Sequence, residues 1–226
     1  MHAIVLAGGF GTRLRSVLPD LPKPMAPIHN KPFLAHLLIY LKSQGITEVI
    51  LPVHYQAEKI MAYFQAQYAG ISIRYVEEEK PLGTGGAIVN ALSLYHDDLP
   101  IFVLNGDTFV KLDYQAMFAQ HQHADISMAL CHVPDCSRYG KVITDKNRII
   151  AFREKGEQGA GLINAGVYLF RPDLFKSYSL PPQFSLEQDF IFSYLPQIHL
   201  QAFVTNDYFI DIGIPEDYAR ARLDLK

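Results

Sequence analysis

The sequence has few cysteines, no long apolar run and no large excess of charge of either sign. Cys131 and Cys136 are the only cysteines among 226 residues, which favours two reduced core thiols over a disulfide framework or a metal site. No apolar run reaches the roughly 18 residues that a membrane-spanning helix needs. No basic segment precedes the apolar N-terminus, as it would in a signal peptide. We therefore expect a cytoplasmic protein without a membrane partner.

Charge and composition exclude further classes. The formal net charge is −3 and the sequence pI is about 6.3, so no basic surface is expected for nucleic acid. Hydrophobic residues make up 49% and charged residues 19% of the chain, as in an ordinary globular protein. No Pro/Ser-rich linker, internal repeat or low-complexity segment interrupts it. We expect one domain over residues 1–226.

The most informative stretch follows the first apolar run. Residues 1–6 are predicted to form a buried strand, and residues 6–14 read LAGGFGTRL. Successive glycines permit positive φ angles, so several backbone N–H groups can converge on one anion. Arg13 adds a planar cation at the end of this segment. We interpret the segment as a cradle for a nucleoside triphosphate.

Several common motifs are missing from the chain. The glycine segment lacks the Lys-Ser/Thr pair of a P-loop, and Leu14 replaces the third glycine of the dinucleotide fingerprint. No Gly-x-Ser-x-Gly elbow or reactive-cysteine pattern marks an enzyme nucleophile. A glycine turn that binds nothing remains the alternative. Lys23 argues against this alternative. Pro22 and Pro24 stiffen the backbone on both sides of this exposed cation, which is costly unless the position of the cation matters.

Strand and helix patterns alternate through the first half of the chain. The predicted strands are residues 3–6, 48–53, 71–76 and 100–104, and the predicted helices are residues 33–43, 57–68 and 86–95. This order predicts an α/β fold with a Rossmann-like, mostly parallel sheet sandwiched by helices, and ligands at the C-terminal ends of its strands. Gly45 is predicted to end the helix at residues 33–43 as a left-handed cap. Later, a hairpin is predicted over residues 140–153 and a helix cap at Ser185.

Two aspartates are candidates for metal binding. Asp107 follows the apolar strand at residues 101–104, and Asp211 lies inside the apolar segment FIDIG. A carboxylate at the end of a central strand lies where ligands bind, and Mg²⁺ prefers carboxylate and phosphate oxygens. Asp107 as a helix cap and Asp211 as a hydrogen-bonded structural aspartate are equally compatible with these positions.

Three weaker signals complete the pattern. The glycine turn PLGTGGA at residues 81–87 opens a helix. Glycines at the start of a helix usually reflect only the backbone geometry of the turn. Glu78 could accept N–H groups of a base such as guanine, or could belong to a solvated acidic edge. Arg153-Glu154-Lys155 reads by itself as an ordinary charged strand end.

The segments LAGGFGTRL and LPKPM together resemble the signature of the sugar-1-phosphate nucleotidyltransferases, or NDP-sugar pyrophosphorylases. The resemblance covers nearly the whole chain. It implies the nucleotide-diphospho-sugar transferase (GT-A-like) fold without a C-terminal β-helix domain. It also implies that a sugar 1-phosphate attacks the α-phosphorus of an NTP to release pyrophosphate. The nucleotide would bind to about residues 1–110 and the sugar phosphate to about residues 111–226.

The resemblance also implies roles for individual residues. The catalytic residues are Arg13 at the pyrophosphate, Lys23 at the reacting phosphates and Asp107. Asp107 and Asp211 hold Mg²⁺. Nucleotide binding is expected at Leu6, Ala7, Gly8, Gly9, Gly11, Thr12, Gly85 and Asn105. Glu78 joins this set through its own chemistry, as a carboxylate that could accept base N–H groups. The sugar-phosphate-binding residues are Gly140, Glu154, Lys155 and Asn164.

Substrate identity rests on overall similarity. The segments FSLEQDF and YFIDIGIPEDY are most similar to family members that use GTP and a heptose 1-phosphate. Mannose 1-phosphate with GTP, or an amino-sugar phosphate with UTP, is the alternative. A glycosyltransferase would usually show Asp-x-Asp, but Phe109 follows Asp107 by two positions. A protein that binds a nucleotide sugar without reacting is a further alternative, and a homodimer is compatible with the sequence.

Overall fold

The structure, a computed structural model, describes residues 1–9, 14 and 17–225. Its strands are β1 (His2–Leu6), β2 (Pro27–Ile28), β3 (Lys31–Pro32), β4 (Glu48–Val53), β5 (Gln67–Tyr68), β6 (Ile71–Glu77), β7 (Ile101–Asn105), β8 (Thr108–Val110), β9 (Ile126–Val133), β10 (Lys141–Asp145), β11 (Arg148–Phe152), β12 (Gly161–Phe170), β13 (Leu200–Thr205) and β14 (Phe209–Asp211). Its α-helices are α1 (Phe33–Ser43), α2 (Ala57–Phe64), α3 (Gly83–Leu92), α4 (Tyr114–Gln120), α5 (Phe192–Tyr194) and α6 (Pro215–Asp224). A π-helix, Leu186–Ile191, leads into α5.

Within the described residues, ten strands form one sheet in the order β10-β11-β13-β9-β12-β7-β1-β4-β6-β5. Alternate side chains of the central strands enter apolar cores on opposite faces of it. Ala3 and Val5 pack into one core with α1, whereas Ile4 packs into the other with α3. This alternation follows from the two-residue period of a strand. Because both faces are covered, β7 reads as a continuous apolar run.

The α/β class is confirmed, but parallel pairing dominates only the first half of the sheet. There, β1 pairs in parallel with β4 and β7, and β4 with β6. In the second half β12 runs antiparallel to both β7 and β9, and β10 and β11 form a hairpin. The expectation of a mostly parallel sheet is therefore corrected to a mixed sheet. An antiparallel strand inserted beside β7 ends the β-α-β repeat that the periodicity had predicted.

A short antiparallel pair beside the main sheet brings the two candidate aspartates to one place. Strand β14 pairs with β8, with Asp211 opposite Thr108, and the backbone N–H of Ile212 donates to the carbonyl of Asp107 at 3.0 Å. Because β8 follows Asp107 directly, the helix-cap alternative for this aspartate is wrong. Helix α4 is capped instead by Asp113, whose Oδ1 accepts from the backbone N–H of Ala116 at 2.8 Å.

Local predictions made from turn chemistry are largely confirmed. Gly45 ends α1 with a φ of +88°, and Lys146 turns the β10–β11 hairpin with a φ of +54°. The Ser185 side chain caps the following helix, accepting from the backbone N–H of Gln188 at 3.2 Å. Cys131 and Cys136 are buried free thiols. No helix in the described part of the chain is long and apolar enough to cross a membrane.

Candidate active site

Four cavities in the described residues follow one another past the C-terminal ends of β1 and β7. The first, of about 220 Å³, and the second, of about 230 Å³, share Leu6, Gly9 and Thr84. The third, of about 140 Å³, meets the second at Asn105. The fourth, of about 780 Å³, shares Gly140, Lys155, Asn164 and Glu187 with the third. These shared walls make the four cavities one cleft, at the sheet edge where ligands of α/β proteins bind.

The glycine segment after β1 forms the wall between the first two cavities. Ala7 is buried, and its backbone N–H donates to the carbonyl of Pro52 at 3.2 Å. A Cβ on Gly8 would lie 3.4 Å from His54, whereas one on Gly9 would meet nothing within 4 Å. The backbone at Gly9 is therefore open to a ligand. Gly11, Thr12 and Arg13, which were assigned to the nucleotide, lie outside the described residues.

The first cavity carries one carboxylate, Glu78, among mainly apolar lining residues. Its Oε2 accepts from the backbone N–H of Leu82 at 3.2 Å, and its carbonyl is 2.6 Å from Nδ1 of His54. Burial raises the pKa of the Glu78 carboxyl above its ordinary value. These two hydrogen bonds fix the position of Glu78. Its carboxylate has further lone pairs, which can accept N–H donors from a ligand.

The glycine turn PLGTGGA contributes to the first cavity, but not through the residue that was predicted. The backbone N–H of Gly85 donates to the carbonyl of Phe184 at 3.0 Å, and a Cβ here would lie 2.1 Å from the Phe184 ring. Gly85 is thus required for packing α3 against residue 184. Gly83 and Thr84 line the cavity instead. Gly85, which was assigned to the base, therefore lies outside the cavity lining, and its backbone N–H is already paired.

The second cavity contains an ion pair between Lys23 and Asp107. Lys23 begins a 3₁₀ turn between Pro22 and the buried Pro24, and its Nζ lies 2.7 Å from Oδ2 of Asp107. The Lys23 side chain is only 10% exposed, whereas that of Asp107 is 32% exposed. The prolines therefore aim a largely buried cation at the carboxylate that ends the central strand. This pair brings a cation and a carboxylate together, which are the groups that phosphate oxygens and a counterion require.

Asp211 lies in the third cavity, next to Asn105 at the border with the second. Its Oδ1 accepts from the backbone N–H of Gly213 at 2.7 Å. Among the described residues, no group of three or more His, Cys, Asp or Glu side chains is placed to hold a metal ion. Two carboxylates alone are too few ligands for Mg²⁺, but they fit a cation that also takes phosphate oxygens from a substrate.

The third and fourth cavities bring together the residues that were predicted for the sugar phosphate. Lys155 and Gly140 line both cavities, and Glu154 lines the fourth. A Cβ on Gly140 would lie 3.1 Å from the carbonyl of Arg153, so the two segments are in close contact. Asn164 lines both cavities as well, and its Oδ1 accepts from the backbone N–H of Gly166 at 2.9 Å. Amide, carboxylate and ammonium groups therefore converge on one space.

Sequence reasoning missed Glu187 as a part of this wall. Its Oε1 accepts from Nδ2 of Asn164 and from the hydroxyl of Tyr168, each at 2.7 Å. Tyr168 is fully buried, and burial followed by the Glu187 charge raises the pKa of its hydroxyl well above the ordinary value. The available signal was the acidic residue within the segment FSLEQDF, which had been used for helix capping and for overall similarity but not for the site.

Comparison with known proteins agrees with this geometry. The family profile described as Nucleotidyl transferase matches residues 2–226. The chain therefore belongs to the nucleotidyl transferase family.

Individual members of this family are similar to the chain over nearly its whole length. The D-glycero-alpha-D-manno-heptose 1-phosphate guanylyltransferase of Aneurinibacillus thermoaerophilus is 47% identical, over 100% of this chain and 99% of the relative. The protein of the same name from Campylobacter jejuni subsp. jejuni is 45% identical, over 96% and 97% of the two chains. The crystal structure of HddC from Yersinia pseudotuberculosis complexed with GMP-PN is 40% identical, with a TM-score of 0.88 and coverage of 100% and 99%.

Proposed function

We propose that this protein transfers a guanylyl group from GTP to D-glycero-α-D-manno-heptose 1-phosphate, giving GDP-heptose and pyrophosphate. The observation that supports it most directly is the order of side chains along one cleft. Glu78 lies at one end, the Lys23–Asp107 pair follows, and Lys155 with Asn164 lies at the other end. Base, phosphates and sugar of a nucleotide sugar follow each other in the same order.

The first cavity suits guanine. The base offers its N1–H and its exocyclic NH₂ on one edge, and a carboxylate can accept from both. Glu78 is held from behind by Leu82 and His54, so its position does not depend on the ligand. Gly83 and Thr84 flank it and supply backbone polar groups. Uracil has only one ring N–H on its corresponding edge, so it satisfies this carboxylate less well.

In the reaction, an oxygen of the sugar phosphate forms a bond to the α-phosphorus of GTP. The bond between that phosphorus and the bridging oxygen of the departing pyrophosphate breaks. No enzyme nucleophile is needed, so the protein must align two polyanions and offset their charge. We assign Lys23 to the phosphates at the reacting centre and, by resemblance, Arg13 to the pyrophosphate. Asp107 and Asp211 would hold Mg²⁺, which withdraws negative charge from the nucleotide phosphates when bound.

The sugar phosphate fits the third and fourth cavities. Lys155 lines both, which suits it to the phosphate at the anomeric carbon. Asn164, Glu154 and Glu187 supply acceptor oxygens for sugar hydroxyls. The fourth cavity, of about 780 Å³, is large enough for a seven-carbon sugar. A cytoplasmic location and a homodimer remain predictions, which fractionation and light scattering would test.

The test is pyrophosphate release with Mg²⁺, crossing GTP, UTP, CTP, dTTP and ATP with heptose, mannose, glucose and N-acetylmuramic acid 1-phosphates. Release with GTP and heptose 1-phosphate alone supports the proposal in full. Release with another pair retains the chemistry and replaces the substrates. The absence of release in every combination, with GTP binding retained, would refute the transfer reaction in favour of a binding protein.

A further inference from the structure

The segment DIGIPED contains a second aspartate that the proposed reaction does not use. Asp217 lies in the first turn of α6 and is only 5% exposed. A buried carboxylate is costly unless it is paired. Its Oδ2 accepts from Nη2 of Arg138 at 2.6 Å, and its Oδ1 lies 3.7 Å from Nη2 of Arg220. The short contact to Arg138 is the main compensation for burying this charge.

Arg138 connects Asp217 to the wall of the third cavity, which is proposed to bind the sugar phosphate. It immediately precedes Tyr139 and Gly140, which line the third cavity, and its guanidinium lies 5.6 Å from the centre of the Tyr139 ring. The hydrogen bond to Asp217 raises the pKa of Arg138 further above its ordinary value. The side chain of Arg138 is half exposed, so its position depends on this partner rather than on packing.

The turn held by Arg138 in turn supports the segment that carries Lys155. The backbone N–H of Gly156 donates to the carbonyl of Ser137 at 3.1 Å, and that of Arg153 donates to the carbonyl of Lys141 at 2.8 Å. These bonds lie on either side of Glu154 and Lys155. A displacement of the turn would therefore displace Lys155.

The next residue of α6 reaches the opposite wall of the cleft. Tyr218 is buried, and its hydroxyl donates to the carbonyl of Pro27 at 2.7 Å. Pro27 directly follows Ala26, whose backbone N–H donates to the carbonyl of Lys23 at 3.0 Å. Tyr218 thus supports the turn that aims Lys23 at Asp107.

We propose that the first turn of α6 is a brace between the two walls of the cleft, with Asp217 and Tyr218 as positioning residues. Asp217 acts through Arg138 on Lys155, and Tyr218 acts through Pro27 on Lys23. The brace sets the distance between the cation assigned to the sugar phosphate and the cation assigned to the nucleotide. This role rests on the proposed transfer reaction, in which both phosphates must be aligned for in-line attack.

Kinetics of four variants and one matched control test the brace. Arg138→Met and Asp217→Asn should raise the KM for heptose 1-phosphate by about tenfold, with little change in the KM for GTP. Arg138→Lys, which keeps a cation, should recover part of the loss. Tyr218→Phe should lower kcat by about tenfold with the sugar KM unchanged. The control is Tyr208→Phe, because the Tyr208 hydroxyl donates to Asp224 at the exposed end of the same helix, at 2.9 Å.

Amide hydrogen exchange without substrates separates the brace from the reaction. Asp217→Asn should speed exchange at residues 137–142 and 153–156, and Tyr208→Phe should not. Unchanged exchange at these segments would overturn the brace, whatever the activity. Equal kinetic effects of Asp217→Asn and Tyr208→Phe would overturn it as well. If the wild type transfers nothing but the exchange result holds, the proposed function fails while the structural coupling stands.

Discussion

Replacing Glu78 by glutamine tests the base site with minimal change of shape. The glutamine carbonyl can still accept from the backbone N–H of Leu82, which Glu78 binds at 3.2 Å. The amide presents one acceptor and one donor where the carboxylate presented two acceptors, so one guanine N–H loses its partner. A hydrogen bond to a charged group contributes about 1.5–3 kcal/mol, which corresponds to a rise of about 10- to 150-fold in the KM for GTP.

Steady-state pyrophosphate release measures this change. The KM for heptose 1-phosphate should stay constant, because the sugar cavities lie beyond the phosphates. Glu79→Gln is the matched control, since Glu79 is exposed and lines none of the four cavities in the described residues. A wild-type KM for GTP in Glu78→Gln, or an equal rise in Glu79→Gln, would refute the assignment of the base to this carboxylate.

We expect the same carboxyl to make GTP binding sensitive to pH. Burial raises the pKa of Glu78, so the carboxylate gains a proton at a higher pH than an ordinary glutamate. The protonated form loses acceptor capacity, and the KM for GTP should therefore rise as pH falls through that raised pKa. In Glu78→Gln this part of the pH profile should disappear. A profile of unchanged shape in the variant would assign the titration to another group.

Three further predictions concern the phosphate site and the fold. Lys23→Ala and Asp107→Asn should each lower kcat by about 100-fold or more with the fold intact; loss of thermal stability alone in Lys23→Ala would support a purely structural turn. Gly166→Ala should cost more than about 1 kcal/mol in unfolding free energy, because φ is +69° and a Cβ would lie 2.7 Å from Nδ2 of Asn105. Burial lowers the pKa of His121 to about 4, so about 3 kcal/mol of stability should be lost as pH falls from 6.5 towards 4. His121→Gln should flatten this acid limb in denaturant titrations.

Three of these variants, at Lys23, Gly166 and His121, have a matched control in the chain. Lys31 is an exposed lysine outside the four cavities, and Lys31→Ala should leave kcat unchanged. Gly159 has a φ of +92° with nothing within 4 Å of a Cβ, so Gly159→Ala measures backbone strain without the clash. His123 is exposed, and His123→Gln should keep the acid dependence of stability. A control that behaves like its partner variant would remove the physical reason given for that prediction.

Much of the nucleotide half could be predicted because its signals are local. The apolar strand before Ala7, the stiffened Lys23 turn and the left-handed Gly45 each reflect the preferences of a few adjacent residues. The α/β class followed from strand and helix periods alone. The residues named for the cleft came from residue chemistry and from the family resemblance together. The described ones line it apart from Ala7 and Gly85, which are buried beside it.

Contacts between residues far apart in the sequence decided the features that could not be predicted. The absence of a side chain at Gly85 makes room for the Phe184 ring. Only the folded chain brings that ring against α3. Glu187 lines the third and fourth cavities beside Asn164, to which it is hydrogen-bonded although the two residues are 23 positions apart. No local pattern encodes such contacts, since they depend on which strand lies beside which.

The sequence by itself therefore determined the class of fold, the glycine-rich edge that faces the ligand and the residue types available for phosphate chemistry. Those properties depend on backbone preference and side-chain chemistry, which neighbouring residues specify. The tertiary structure alone decided that Lys23 meets Asp107 across 84 residues of chain, and that α6 connects both walls of the cleft. The first relation needs β7 beside β1 in the sheet, and the second needs β14, which precedes α6, paired with β8. Packing over the whole domain sets both arrangements.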